Sequence, residues 1–191
     1  MAEDLARHFS MHGHEVFVHS SGFNGIPAYE VRYGFTIHRT FAFRKRQEKC
    51  SVYEMALYII TNFLPSLYFA LSRRPDVIHC HFAVPTGVIA FLVSMISSIP
   101  YVLTAHLGDV PGGVPEQTDR IFKIIKPFTK LIWKKASAIT AVSDYVATLA
   151  KNAYGVSIKT IVNGIDSLSL EHRSSSVHSP VKLLFAGRFN A

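Results

Sequence analysis

Short apolar runs ending in polar residues alternate with helical patterns along this chain, and that alternation restricts the fold more than any other feature. It is the order of an α/β domain with a parallel sheet. Ala2 to His12 reads as a helix, with Leu5 and Phe9 four apart and Gly13 placed to end it. Glu15 to His19, Phe35 to Thr40, Asp76 to His79, Tyr101 to Ala105, Ala138 to Val142 and Ile158 to Val162 read as strands. Helices are expected over Val52 to Ser72, Thr86 to Ser97, Asp119 to Lys135 and Asp144 to Ala153. In the third of these, Ile121, Ile124, Ile125, Phe128, Ile132 and Trp133 form the apolar side. Ser143 lacks a surrounding Gly-x-Ser-x-Gly and reads as a helix N-cap rather than a nucleophile. The Ser- and His-rich stretch from Ser167 to Pro180 reads as a linker, and Val181 to Ala186 as the start of a new strand. A parallel α/β domain ordinarily opens on a strand, whereas this sequence opens on a helix and closes on a strand. Truncation at both ends is therefore the expectation.

Composition narrows the functional classes. The 191 residues are 49% hydrophobic, which is too apolar for disorder. With 20 Lys plus Arg against 13 Asp plus Glu the formal charge is +7, which favours anionic partners such as phosphorylated small molecules or lipid headgroups. No zinc-finger spacing or aromatic ribonucleoprotein motif is present, so nucleic acid is not the expected partner. The densest basic cluster is Arg44-Lys45-Arg46 with Lys49, which a solvated loop would equally explain. Cys50 and Cys80 are too few for a disulfide framework and fit a reducing compartment. Met1 to Met11 reads as a polar helix rather than a leader. The 17 uncharged residues from Met55 to Leu71 reach the lower limit of a membrane span. Asn62, Pro65 and Ser66 within them favour a buried or interface-lying helix.

The residues with chemistry gather where strands end. His79 and His81 lie two apart, on one face of a strand, and His106 closes the next strand, with Asp109 three residues on. Three readings are open: a metal site built from His79, His81, His106 and Asp109, histidines satisfied at strand ends, or imidazoles that hydrogen-bond sugar or phosphate oxygens. The loop Gly108-Asp109-Val110-Pro111-Gly112-Gly113 offers backbone amides to an anion or a sugar, or is a flexible surface loop. Neither Gly-x-Gly-x-x-Gly nor a P-loop occurs. Asn163-Gly164 forms a turn pair after a strand, and Arg188 follows a strand and a glycine, where a guanidinium suits a diphosphate.

Six pieces, in order along nearly the whole chain, resemble the family-four retaining glycosyltransferases, which have the GT-B fold of two facing Rossmann-like domains. They are Glu3 to Val16 around Gly13-His14-Glu15-Val16, Pro75-Asp76-Val77-Ile78-His79-Cys80-His81, Pro100 to His106, Ala138 to Ser143, Ile161-Val162-Asn163-Gly164-Ile165-Asp166, and Leu183 to Arg188. The resemblance implies transfer of a sugar from a nucleotide-diphosphate donor to an acceptor hydroxyl, with retention and without a metal or other cofactor. The acceptor would be a glycan, a lipid-linked molecule or a small molecule. His106 matches the histidine that faces the transferred sugar, and Arg188 the arginine that neutralises the donor diphosphate. His79, His81, Gly108, Asp109, Asn163 and Gly164 are the expected substrate contacts. Residues 1–166 correspond to the acceptor-side domain lacking its first strand, 167–180 to the linker, and 181–191 to the first strand of the donor-binding domain. The family's Gly-Gly loop, the lysine beyond Gly-Arg and the paired-Glu motif have no counterpart, so the chain alone is expected to be inactive. Leu107 stands where such loops carry glycine. Family members dock on membranes through the first domain, which places this chain in the cytoplasm at the inner membrane face. The alternative functions are a non-catalytic binding or regulatory module and, from the histidines and Asp109, a metal-dependent hydrolase.

Overall fold

The computed structural model describes residues 2–23, 25–42, 51–113 and 127–164. Arg44, Lys45, Arg46, Lys49, Cys50, Asp166, Arg188, the linker, the strand from Val181 and the expected helical residues 119–126 lie outside them.

The order of elements is α1 (Ala2–Met11), β1 (Phe17–Ser21), β2 (Tyr29–Arg32), β3 (Phe35–Thr40), α2 (Val52–Arg73), β4 (Ile78–His81), α3 (Thr86–Ser97), β5 (Tyr101–Ala105), a short 3-10 turn (Leu107–Asp109), α4 (described over 127–135), β6 (Ala138–Ala141), α5 (Asp144–Tyr154) and β7 (Lys159–Thr160). The strands form two groups. One has the order β1-β3-β2, with β1 parallel and β2 antiparallel to β3. The other, β4-β5-β6-β7, is wholly parallel. This is the expected α/β architecture of parallel strands flanked by helices.

Local chemistry sets the boundaries. Ser51 and Glu54 form a reciprocal capping box at the start of α2: the Ser51 amide donates to Glu54 Oε2 at 2.7 Å and the Glu54 amide to Ser51 Oγ at 3.3 Å. Arg74 ends that helix in the left-handed region, at φ 46°, directly before Pro75. Ser143 caps α5, its Oγ accepting from the Val146 amide at 3.3 Å, as its position predicts. Gly155 closes the same helix at φ 64°. The hairpin β2–β3 has no counterpart in the sequence reading. Its turn is Tyr33-Gly34, both at positive φ, 49° and 83°, the two-residue loop that matches strand twist. At Gly34 the positive φ favours glycine, and a Cβ there would also fall 2.6 Å from Ser10 Oγ and make that hydroxyl turn away.

The parallel strands have two unlike faces. One carries Cys80, Tyr101, Leu103, Ala105, Ile139 and Ala141, and packs with Ala90 of α3, Ile132 and Trp133 of α4, and Val146, Ala150 and Tyr154 of α5. This is the main core. Phe128, expected on the same apolar side as Ile132 and Trp133, is exposed instead, because only one edge of the short described helix meets the sheet. Helix α2 lies on α3 and reaches β1 and β3. Its outer stripe of Tyr53, Ile60, Leu64, Tyr68 and Leu71 faces solvent, and by length and composition it could cross a membrane.

Candidate functional site

The opposite face of the parallel strands sets polar side chains among apolar ones such as Val102 and Val142. Register pairs His81 with Thr104, and Thr104 with Thr140. Because side chains alternate along a strand, His79, His81, Thr104 and Thr140 all project to this side, away from the core. His79 Nε2 lies 2.7 Å from Thr104 Oγ1, which lies 2.7 Å from Thr140 Oγ1, so a polar chain crosses three strands. His81 Nδ1 comes within 3.4 Å of His106 Nε2. Phe82 stacks on the His106 ring with centroids 4.3 Å apart. Phe82 itself sits at φ 74°, an unfavourable backbone region for an aromatic residue.

A cavity of about 900 Å³ opens over this face. His79, His81, Thr104, Thr140, Asn163 and Gly164 line it together with apolar Val102, Val142, Ile161 and Val162, and with Asp4, Leu5, Arg7, His8 and Phe9 of α1. The structure thus brings together four of the expected contacts, His79, His81, Asn163 and Gly164. His106 adjoins them through His81. A second cavity, of about 530 Å³, lies between β1 and β4 and shares His79. Gly108 is exposed in the 3-10 turn, outside the lining of the larger cavity.

Asp109 does not line the larger cavity. Its side chain is buried, 4% exposed, and faces inward. Oδ1 accepts from the Ala83 amide at 2.7 Å and Oδ2 from the His106 amide at 2.8 Å. Sequence spacing set Asp109 beside the histidines, but the tight 3-10 turn rotates it under the loop. The same geometry takes it out of a metal set with His79, His81 and His106, and among the described residues no group of three His, Cys, Asp or Glu is arranged to hold a metal ion. Thr104, Thr140 and Phe82 escaped the sequence reading. For the threonines a signal existed, since Thr104 precedes His106 by two and so shares its face.

Burial governs the protonation of this site. It depresses His79 and His106, and brings His81 down to about 4, with His79 and His106 adding repulsion. The three imidazoles are therefore neutral at pH 7, each able to donate one hydrogen bond and accept another. In the smaller cavity His19 is likewise held at about 4, by burial and by His38. Asp109 moves the other way, pushed up to about 7 by burial against the backbone amides of His106, Ala83 and Val84. The Cys80 thiol, itself raised to about 12, and the Tyr154 phenol face it from β4 and α5.

These directions fix the sign of a pH effect. His19 and His81 bind fewer protons in the fold than unfolded, so the stability they carry above about pH 6.5 is lost as pH falls towards 4. Asp109 opposes this, because its carboxyl stays protonated in the fold where the unfolded chain ionises, and it costs stability as pH rises from about 4 to 7. The urea midpoint is expected to drop between pH 6.5 and 4.5, and to drop more steeply in Asp109→Asn, which removes the opposing group. A flat profile in that variant would show that His19 and His81 protonate freely in the fold.

The sequence model of Glycosyltransferase Family 4 matches residues 1–167. The chain belongs to glycosyltransferase family 4. It is 32% identical over 139 residues to a Bacillus subtilis (strain 168) protein named as the teichuronic acid biosynthesis glycosyltransferase TuaC, the alignment covering 73% of this chain. The chain spans about a third of that relative, 34% of its length. The fold is similar to that of a sucrose-phosphate synthase from Thermosynechococcus elongatus. One structure of it gives a TM-score of 0.60 at 15% identity, covering 85% of this chain and 83% of that one. A second gives 0.59 at 15% identity, covering 84% and 40%. At that identity the likeness concerns the Rossmann-like GT-B fold alone.

Proposed function

We propose that this chain forms the acceptor side of a glycosyltransferase that moves a sugar from a nucleotide-diphosphate donor to an acceptor hydroxyl with retention of configuration. The observation that carries the reading is the strand face on which His79, His81, Thr104 and Thr140, with His106 beside His81, present polar groups to a large cavity. Sugars are recognised by neutral donors and acceptors at fixed spacing, and depressed imidazoles supply both without attracting anions indiscriminately. In this reading Asn163 and Gly164 hold the acceptor at the far rim, His106 faces the transferred sugar, and Arg188 neutralises the departing diphosphate. The transfer needs no metal or other cofactor in this reading. A chimera that places residues 1–164 in a family 4 relative is expected to release nucleoside diphosphate and to give a product with the donor's anomeric configuration by proton NMR. An inverted product would overturn the mechanism, and a chimera that folds but binds no acceptor would overturn the assignment of this face.

The acceptor is proposed to be reached at a membrane surface on the cytoplasmic side. Support comes from the solvent-facing apolar stripe of α2 together with the positive charge of the chain. Ile60→Glu with Leu64→Glu alters only exposed positions, so the fold should survive. Flotation with anionic vesicles is expected to fall by about tenfold in that variant. Equal flotation would leave α2 without a membrane role.

A further inference from the structure

The loops that follow β4 and β5 are tied together by one buried carboxylate. The amides that Asp109 accepts belong to Ala83, directly after Phe82, and to His106. Phe82 and His106 are the two rings that stack at 4.3 Å. The Phe82 amide donates to the Thr104 carbonyl at 3.2 Å, and its carbonyl accepts from the Gly87 amide at 3.0 Å. An aromatic residue with φ 74° persists only where its neighbours over-determine the backbone. The Asp109 bond to the next amide is one such restraint, and the bond from the His106 amide, with the Asp109 amide donating to the His106 carbonyl at 2.9 Å, joins that restraint to the residue that carries the imidazole.

We propose that Asp109 is a positioning residue that sets the distance and tilt between Phe82 and His106, so that the imidazole is held face-on against Phe82 with its edge at the strand end. Asp109 acts through His106 and meets no substrate. Its functional meaning rests on the role proposed for His106, whereas the positioning can be tested without turnover.

The experiment uses the isotope-labelled 191-residue chain. Ring protons of His106 are displaced upfield by the Phe82 ring, and loss of that displacement in Phe82→Leu identifies it. In Asp109→Asn the shape is kept, but the amide nitrogen cannot accept, so one of the two loops is released. The displacement is expected to shrink by about half or more, while methyl signals of Leu103 and Val146 in the core stay in place. A folded Asp109→Asn chain with the wild-type His106 shift overturns the proposal. Should that variant fail to fold, the wild type decides. One carboxylate holding both amides gives Ala83 and His106 hydrogen-exchange protection factors within about tenfold of each other, and a larger gap overturns it. An inactive His106→Ala chimera beside an unchanged Asp109→Asn shift would sink this inference and leave the catalytic reading intact. An altered shift beside an active His106→Ala chimera would do the reverse.

Discussion

Trp133→Ala is expected to lower the thermal midpoint by about 6–20 °C. Trp133 is fully buried and stacks on Tyr154 with ring centroids 4.6 Å apart and planes 13° from parallel. It lies in the core that Leu103, Ala105 and Ala141 form on the apolar side of the parallel strands. Truncating a buried tryptophan costs about 3–5 kcal/mol, from lost transfer energy and from the cavity left behind. For a chain of this size each kcal/mol moves the midpoint by about 2–4 °C. Phe128, five residues earlier, is 72% exposed, so Phe128→Ala should change stability by no more than about 0.5 kcal/mol. Circular dichroism melts of the two variants check the contrast. Equal midpoints would mean that α4 does not present Trp133 to the sheet.

His106→Ala in the family 4 chimera is expected to reduce turnover by a factor of about 100 or more. His106 follows β5, which pairs on both sides with parallel strands, so it stands at a central carboxyl edge where ligands bind in open α/β sheets. Its ring is fixed on one face by Phe82 and approached by His81, which leaves little freedom to lose when a sugar docks. His79 is engaged with Thr104, so His79→Ala should impair binding more than the chemical step. Initial rates over a range of acceptor concentration separate the two effects. Full activity in His106→Ala would remove the histidine from the reaction.

The elements differed in how plainly the sequence announced them. Phe35–Thr40, Thr86–Ser97 and Tyr101–Ala105 were legible to the residue, because the first alternates Phe35 and Ile37 with polar residues after Gly34, and the other two are largely apolar runs that begin directly after Pro85 and Pro100. Strands β1 and β4 lie two residues later than read, since their polar C-terminal halves, with His19, Ser20 and His81, lack a strand composition. That shift matters, for it puts His81 inside β4 and in register with Thr104.

By itself the sequence determined the α/β class, the family and the congregation of histidines at strand ends, because period and order survive without coordinates. Tertiary structure alone decided which of the polar residues share a surface. Strand pairing joined Thr104 and Thr140 to the histidines across sequence gaps of 25 and 36 residues. A single tight turn sent Asp109, three residues from His106, into the interior instead. Proximity along the chain sets neither outcome, since the direction of a side chain follows from the backbone that carries it and from the amides it meets.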